Sequence, residues 1–205
     1  MNKFKTRAMQ GLILGLALFA LAGCAEKTPE ETDHTGHSPS PGAATPTVAA
    51  TASGTAASYK DVDVKKLLEE FSLRKRTAAS VSARPLEVLI TEKEGDSAVS
   101  VPLPKDAFFL SIAPYVDSTH PCANHNLVTC KGELANKVVH VKVVDGKGTA
   151  IIDKDVTTYA NGFLDLWVPR DQKLDVTISY EGKKVTETVG TSSTDRTCVS
   201  TMQLS

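Results

Sequence analysis

Several signatures of common enzyme and nucleic-acid-binding classes are missing from this sequence of 205 residues. Its 23 basic residues are balanced by 24 acidic ones, so it has no positive excess to attract a nucleic acid. The motifs of zinc peptidases, phosphate loops and nucleophile elbows do not occur, and the carboxylates form no evident catalytic pair. A Cys-x-x-Cys motif, typical of thiol–disulfide enzymes, is also lacking. We therefore expect a binding protein that is not an enzyme and has no nucleic-acid partner.

Long apolar runs are lacking too, and the most apolar segment predicts export. Residues 11–22 form an apolar run of 12 residues, shorter than the roughly 20 that a membrane-spanning helix needs. Basic residues precede this run, and Leu-Ala-Gly-Cys ends it at Cys24. The arrangement resembles a bacterial lipoprotein signal, with residues 1–23 removed and Cys24 acylated; the alternative is an ordinary signal peptide with Cys24 incidental. We expect a cell-membrane lipoprotein that faces the periplasm or the extracellular side.

Residues 24–58 have almost no large apolar side chains and are interpreted as a linker. Without apolar periodicity, such a segment buries too little surface to offset the entropy of ordering it. It predicts a disordered tether between the lipid anchor and a folded domain at residues 59–205. His34 and His37 lie in this tether, where we interpret them as solvated side chains. Once the signal is removed, 20 basic and 24 acidic residues remain, which is an ordinary surface charge.

A short helical segment is predicted at residues 59–84. Ser58 and Asp61 match a capping box, and the helix should end by about residue 79, because the residue before Pro85 avoids the helical region. The apolar stripe of this helix either packs on its own domain or pairs with a second copy of the chain. Its members follow the i, i+3, i+4, i+7 spacing of one helical face: Val64, Leu67, Leu68 and Phe71.

Residues 85–205 change to the period of β-strands. Short runs rich in β-branched residues alternate with Gly and Asp turn signals, which is typical of an antiparallel sandwich or barrel. The chain that follows the linker is long enough to bury one core. The fold class is therefore mainly β, with an antiparallel sandwich or barrel-like domain preceded by the helical segment. Strands are predicted at residues 86–90, 99–102, 107–113, 138–144, 149–152, 162–168, 174–180, 184–189 and 198–204.

Cysteine is scarce, and the way it is distributed predicts a metal site. If Cys24 carries lipid, three cysteines remain, an odd number in an oxidising compartment where disulfides use cysteines in pairs. Cys122 and Cys130 lie with His125 in residues 119–134, the longest segment without a strand pattern. Cys198 lies in the predicted last strand, where it alternates onto the inward face with Met202 and Leu204. Three thiolates and one imidazole form a soft donor set that suits Cu(I) or Zn(II).

Simpler interpretations of the same residues remain open at this point. Cys122 and Cys130 could form a disulfide, with Cys198 a buried apolar thiol. The chain would then be a tethered structural or interaction domain. His120 is fixed beside Pro121 and is interpreted as capping a turn, so His125 is the favoured ligand. His140 alternates with valines and is interpreted as a sheet residue on the polar face.

Residues 119–134 resemble the CueP family of periplasmic copper-resistance proteins. The resemblance is carried by Cys122-x7-Cys130, the intervening His125, the Cys-Lys-Gly-Glu-Leu run and the distant Cys198, and it extends from about Tyr59 to the end. It implies copper binding and sequestration in the cell envelope, with Cys122, His125, Cys130 and Cys198 as metal ligands. Zinc would suit the same four donors.

Three thiols that converge in an oxidising compartment predict a redox mechanism, and the resemblance implies a copper enzyme as recipient and a dimer contact. We expect Cu(II) to be reduced by the thiolates and Cu(I) to be held by thiolate and imidazole. A thiol–disulfide reductase would then restore the thiols, and a copper enzyme of the envelope would receive the metal. The helical segment would make homodimer contacts.

Overall fold

The computed structural model describes residues 59–205, all of which belong to one compact unit. The predicted signal peptide (1–23), the lipidation site Cys24 and the tether (24–58) lie outside the described residues. Within the described part, no helix is both long and apolar enough to cross a membrane. The elements of this part are α1 (Val64–Ser72), β1 (Ser80–Ala83), β2 (Glu87–Thr91), β3 (Val99–Pro102), β4 (Ala107–Ile112), β5 (His125–Asn126), β6 (Val138–Val144), β7 (Ala150–Thr157), β8 (Leu164–Pro169), β9 (Lys173–Tyr180), β10 (Lys183–Gly190) and β11 (Cys198–Val199).

The helix is shorter than its predicted segment. Its N-cap is Asp63, whose side chain accepts hydrogen bonds from the backbone of Lys65 and Lys66, so the predicted cap at Ser58 and Asp61 was wrong. The helix ends at Ser72 because Arg74 adopts a left-handed conformation, with φ 58°. The apolar stripe is buried within its own chain. These side chains pack on the core and are therefore not free to bind a second copy.

The strands form three sheets, and the predicted mainly antiparallel β fold is confirmed. Their orders are β3-β2-β1-β5, β10-β9-β6-β7 and β11-β4-β8. The pairing of β11 with β4 is parallel, whereas the other pairings between the described strands are antiparallel. Buried and more exposed residues alternate along β6 and β9, as expected for the runs of β-branched residues from which these strands were predicted.

The predictions for three segments, one helical, one β and one irregular, need correction. The segment at 59–84 is not helical throughout, because Ser80–Ala83 forms β1 and alternates between half-buried and buried side chains. The strand predicted at 198–204 is regular only at Cys198 and Val199, after which a single bridge joins Gln203 to Tyr115. The segment 119–134, predicted to be irregular, contains β5, whose His125 pairs with Ala83 of β1.

Strand β4 lies between two apolar cores and leads to the metal-ligand candidates. All six of its residues are buried. Phe108, Leu110 and Ile112 belong to the core built on β6, β8 and β9, whereas Phe109 belongs to the core beneath α1. A third, smaller cluster follows the end of β4 and contains Ala113, Phe163 and Cys198, with Cys122 and Cys130 packed against it.

Candidate metal centre

Backbone hydrogen bonds hold residues 122–125 against the start of β11. The amides of Thr197 and Cys198 both donate to the carbonyl of Ala123, at 3.1 and 3.2 Å. The hydroxyl of Thr197 accepts from the amide of His125 at 3.1 Å and donates to the carbonyl of Ala83 at 2.6 Å. These bonds bring Cys198 beside Cys122, although the two are 76 residues apart in sequence.

A tight turn after β5 places Cys130. The side chain of Asn126 accepts hydrogen bonds from the amides of Val128 and Thr129, and its carbonyl accepts from the amide of Cys130 at 3.0 Å. The amide of Asn126 in turn donates to the sulfur of Cys130 at 3.4 Å. The guanidinium of Arg74, just beyond α1, donates to the carbonyls of residues 127 and 128 and fixes the turn from outside. Cys130 is thus held within its loop by hydrogen bonds to both its amide and its sulfur.

The cysteine pairing differs from the alternative considered from the sequence. Cys122 is bonded to Cys198, with 5.6 Å between their Cα atoms, and Cys130 is a free thiol. The alternative Cys122–Cys130 disulfide is therefore not the one formed, because the hydrogen bonds to Ala123 place Cys198 beside Cys122. The sulfur of Cys130 still lies 3.8 Å from that of Cys122. This is about the separation expected for two sulfurs that bind one ion tetrahedrally at about 2.3 Å.

His125 has the properties of a ligand held ready for a metal. Its side chain is fully buried, and neither ring nitrogen has a hydrogen-bond partner. Burial, with smaller contributions from His120 and Arg74, lowers the pKa of His125 to about 3. The ring is therefore neutral, which is the form that binds metals. Two unpaired nitrogens in an apolar environment are costly, and a metal ion would satisfy one of them.

The donor atoms form two overlapping groups of three. Within residues 59–205, the donor atoms of Cys122, His125 and Cys198 lie within 4.8 Å of one another, and so do those of His120, Cys122 and Cys130. We call the first group the inner triad and the second the outer triad. Cys122 belongs to both. The four ligands predicted from the sequence thus converge around Cys122, and their role as ligands stays a prediction.

His120, interpreted from the sequence as capping a turn, also lies beside the cysteines. Its Nε2 atom is buried without a hydrogen-bond partner, and its side chain lines a surface cavity of about 350 Å³ together with Cys130. The sequence signal that could have placed His120 near the cysteines is its position two residues before Cys122. Phe163 was also missed. Its ring centroid lies 4.3 Å from that of His125 and 6.2 Å from that of His120.

His140 lies apart from the cluster, as predicted for a residue on the polar face of a sheet. Its ring nitrogens lie 2.9 Å from carboxylate oxygens of Asp153 and Asp155 on the neighbouring strand β7. These two hydrogen bonds, led by that to Asp155, raise the pKa of His140. Because His140 is exposed, it pairs with these carboxylates at the surface and does not belong to the buried cluster of donors.

Comparison with known proteins identifies the family. The family model described as "Periplasmic copper-binding protein CueP" matches residues 63–203. This chain belongs to the CueP family. The match spans α1, all eleven strands and every residue of both triads, so the family resemblance stated from the sequence is confirmed.

A solved CueP structure has the same fold. The crystal structure of S.CueP superposes with a TM-score of 0.69 and 33% sequence identity, covering 76% of this chain and 100% of that chain. A comparison with curated proteins finds no match. CueP family members are thus the proteins whose architecture this chain shares, and the family description names copper as their ligand.

Proposed function

We propose that this chain binds and sequesters copper in the periplasm and so serves copper resistance. The observation that carries the proposal is the convergence of three cysteine sulfurs and a buried, unpartnered imidazole in a chain of the CueP family. Thiolate sulfur and neutral imidazole form a soft donor set, which favours Cu(I) over hard cations. Copper is the cargo of this site, and the chain turns over no substrate.

In the reduced protein, Cys122, Cys130 and Cys198 would bind Cu(I) as thiolates and His125 would bind it through one ring nitrogen. The side chains of His125 and Cys198 are fully buried, so that side of the ion is shielded from water. Phe163 lies against the imidazole and closes the apolar wall of the site. Zinc would suit the same four donors, and the family favours copper.

A redox step fits the cysteine arrangement. Two Cu(II) ions would each take one electron from a pair of thiolates, giving two Cu(I) ions and one disulfide. The pair that supports this step is Cys122 and Cys198, which are joined in the structure. A thiol–disulfide reductase would return both thiols. It would attack Cys122, whose side chain is half-buried, because Cys198 is fully buried.

The proposed location and partners rest on the N-terminal sequence and on the family resemblance. Acylation of Cys24 would anchor the chain to the membrane, and the tether would let the copper domain reach other envelope proteins. A copper-requiring envelope enzyme would receive Cu(I). A homodimer would use surfaces other than the apolar stripe of α1, which is buried within the chain.

The first test is a Cu(I) competition titration of the reduced domain spanning residues 59–205 against a chromophoric chelator. We expect one tightly bound Cu(I) that protects all three thiols from alkylation. The variant Cys198→Ser should lower the affinity by more than about a hundredfold, beyond the 10–100-fold typical of changes around a metal site. His140→Ala is the control, because this histidine lies apart from both triads.

The same experiment separates copper binding from a purely structural role. Before reduction, both kinds of chain show one free thiol, that of Cys130. After reduction, a chain in which Cys122–Cys198 only staples the fold would gain no tight Cu(I) site. Unchanged affinity in Cys198→Ser would remove Cys198 from the ligand set and with it the three-thiolate site.

A further inference from the structure

The outer triad opens to solvent, whereas the inner triad does not. His120, Cys122 and Cys130 are each half-buried, and two of them line the surface cavity of about 350 Å³, whose other walls are Thr129 and Lys131. The inner triad offers only Cys122 to this side, since His125 and Cys198 are both fully buried. An ion that arrives from solvent therefore meets the outer donors first.

We propose that His120, Cys122 and Cys130 form an outer copper site through which Cu(I) enters and leaves the buried ligands. This inference rests on the proposed function, and it assigns to His120 a role in transfer rather than in final retention. The three donor atoms lie within 4.8 Å of one another, close enough to bind one ion with small side-chain movements. Sulfur and imidazole donors match the chemistry of the inner site, so the same ion suits both.

The shared Cys122 lets the ion move without being released. In the reduced protein, Cu(I) binds first to His120, Cys122 and Cys130. The ion keeps its bond to Cys122 while the buried donors His125 and Cys198 replace His120. No electron is transferred and no disulfide forms in this step, because only the ligands exchange. Unloading is the reverse sequence.

His120 is held where this exchange requires it. The neighbouring Thr119 hydroxyl donates to the carbonyl of Ser200 at 2.6 Å. Just before it, the carboxylate of Glu133 accepts hydrogen bonds from the amides of residues 116, 117 and 118. The Nε2 atom of His120 is buried without a partner. The ring of Phe163 lies beside both imidazoles, with its centroid 6.2 Å from that of His120 and 4.3 Å from that of His125.

The test compares two substitutions of His120 in the reduced full-length chain in detergent solution. His120→Phe keeps an aromatic ring against Phe163 but removes the nitrogen donors. His120→Met restores a soft donor that suits Cu(I). His140→Phe is the matched control, because it removes an exposed histidine away from both triads. Stopped-flow mixing measures the rates at which Cu(I) passes from a chromophoric chelator to the protein and back, and equilibrium competition measures affinity.

We expect His120→Phe to slow both loading and unloading by about tenfold or more, which corresponds to about 1.4 kcal/mol on the barrier. Its affinity should stay within about threefold of the unsubstituted chain, a change of under 1 kcal/mol, because His120 is not among the ligands that retain the ion. His120→Met should recover most of the rate, and His140→Phe should change neither quantity.

Other outcomes would overturn the outer site. Unchanged transfer rates in His120→Phe would show that the ion takes another route. A large loss of affinity with an unchanged loading rate would make His120 a retaining ligand rather than a transfer ligand. A failure of His120→Met to recover the rate would mean that the slow transfer in His120→Phe does not come from the loss of a soft donor. Absence of tight Cu(I) binding in the unsubstituted chain would instead remove the proposed function itself.

Discussion

At the scale of single residues, the carboxyl group of Asp165 contrasts with the neutral His125 of the proposed copper site. It lies on β8, where the hydroxyls of Ser72 and Ser111 donate to its two oxygens at 2.5 and 2.6 Å. Burial outweighs these two hydrogen bonds and raises the pKa of Asp165 to about 6. A carboxyl group whose pKa is higher in the folded state than in the unfolded state opposes folding once it ionises.

Asp165 therefore predicts a dependence of stability on pH. The unfolding free energy should fall as the pH rises from about 4, near the pKa of an unfolded aspartate, to about 6. In Asp165→Asn this part of the fall should disappear. We expect a difference on the order of 1–2 kcal/mol, less than the full shift implies because the side chain keeps some contact with water. Urea denaturation at pH 4, 5, 6 and 7 measures it.

The control for this prediction is Asp106→Asn, which changes an exposed carboxylate in a bend before β4. Its pH profile should match that of the unsubstituted domain. Parallel profiles for Asp165→Asn and the unsubstituted domain would mean that Asp165 titrates in the folded protein much as it does in the unfolded chain.

Single residues also mark where prediction from sequence stops. Cys122, His125 and Cys130 could be selected as candidates because soft donors are concentrated in the one segment without a strand pattern, and Cys198 because it is the third cysteine that follows the linker. The partner of Cys122 could not, since it depends on the hydrogen bonds of Thr197 and Cys198 to Ala123. The proximity of His120 to the cysteines is likewise a property of the folded loop.

At the scale of elements, a backbone contact joins the Cys130 loop to the turn before β8. The amide of Gly132 donates to the carbonyl of Asn161 at 2.6 Å. A Cβ atom added to Gly162 would lie 2.3 Å from the carbonyl oxygen of Gly132, and Gly162 has a φ of +79°. Phe163 follows directly, so this contact positions the apolar wall of the copper site relative to Cys130.

This contact predicts that Gly162→Ala is more harmful than an ordinary substitution at positive φ. Gly182 has the same φ of +79° but nothing within 4 Å of an added Cβ, which makes Gly182→Ala the matched control. The control should lose about 1–2 kcal/mol of unfolding free energy from backbone strain alone. Gly162→Ala should lose a further 1–3 kcal/mol or so from overpacking, measured by urea denaturation. Equal losses would show that the loop can move aside freely.

Elements differ in how well the sequence predicts them, and both the length of an element and its share of β-branched residues matter. Strands β6, β9 and β10 could be predicted because seven or eight residues alternate or carry β-branched side chains. β5 has only two residues and forms because His125 and Asn126 find partners on β1. β1 lies within a segment interpreted as helical and has only one β-branched residue, whereas β3, which also has four residues, has two valines and was predicted.

At the scale of the whole molecule, one disulfide ties the loop that follows β4 to the end of the chain. Cys122 and Cys198 are separated by 76 residues, and the sequence between them contains β5 to β10. In the chain-entropy model, closing a loop of this size restricts the unfolded chain by about 4 kcal/mol, within the 2–5 kcal/mol typical of native disulfides. If the same sulfurs bind Cu(I), the chain gives up this restraint whenever it is ready for copper.

The melting temperature should therefore be lower in the reduced, copper-free domain than in either the oxidised or the copper-loaded domain. Reducing the domain should lower its melting temperature by roughly 10 °C, the shift expected for about 4 kcal/mol in a domain of this size. Cu(I) at about 1,000 times its dissociation constant should restore about 4 kcal/mol, because it binds the folded state. Scanning calorimetry of the oxidised, reduced and copper-loaded forms measures the series.

Two cysteine variants test whether the redox shift in melting temperature comes from the Cys122–Cys198 disulfide. Cys130→Ser keeps that disulfide, so its oxidised and reduced forms should differ by as much as those of the unsubstituted domain. Cys198→Ser removes this disulfide, and its redox shift in melting temperature should fall to roughly half, because a Cys122–Cys130 bond would close a loop of only eight residues and restrict the unfolded chain by about 2.5 kcal/mol. An undiminished redox shift in Cys198→Ser would mean that the restraint on the fold comes from another pairing. The Cys122–Cys198 pair would then not be the one through which oxidation stabilises the sheets.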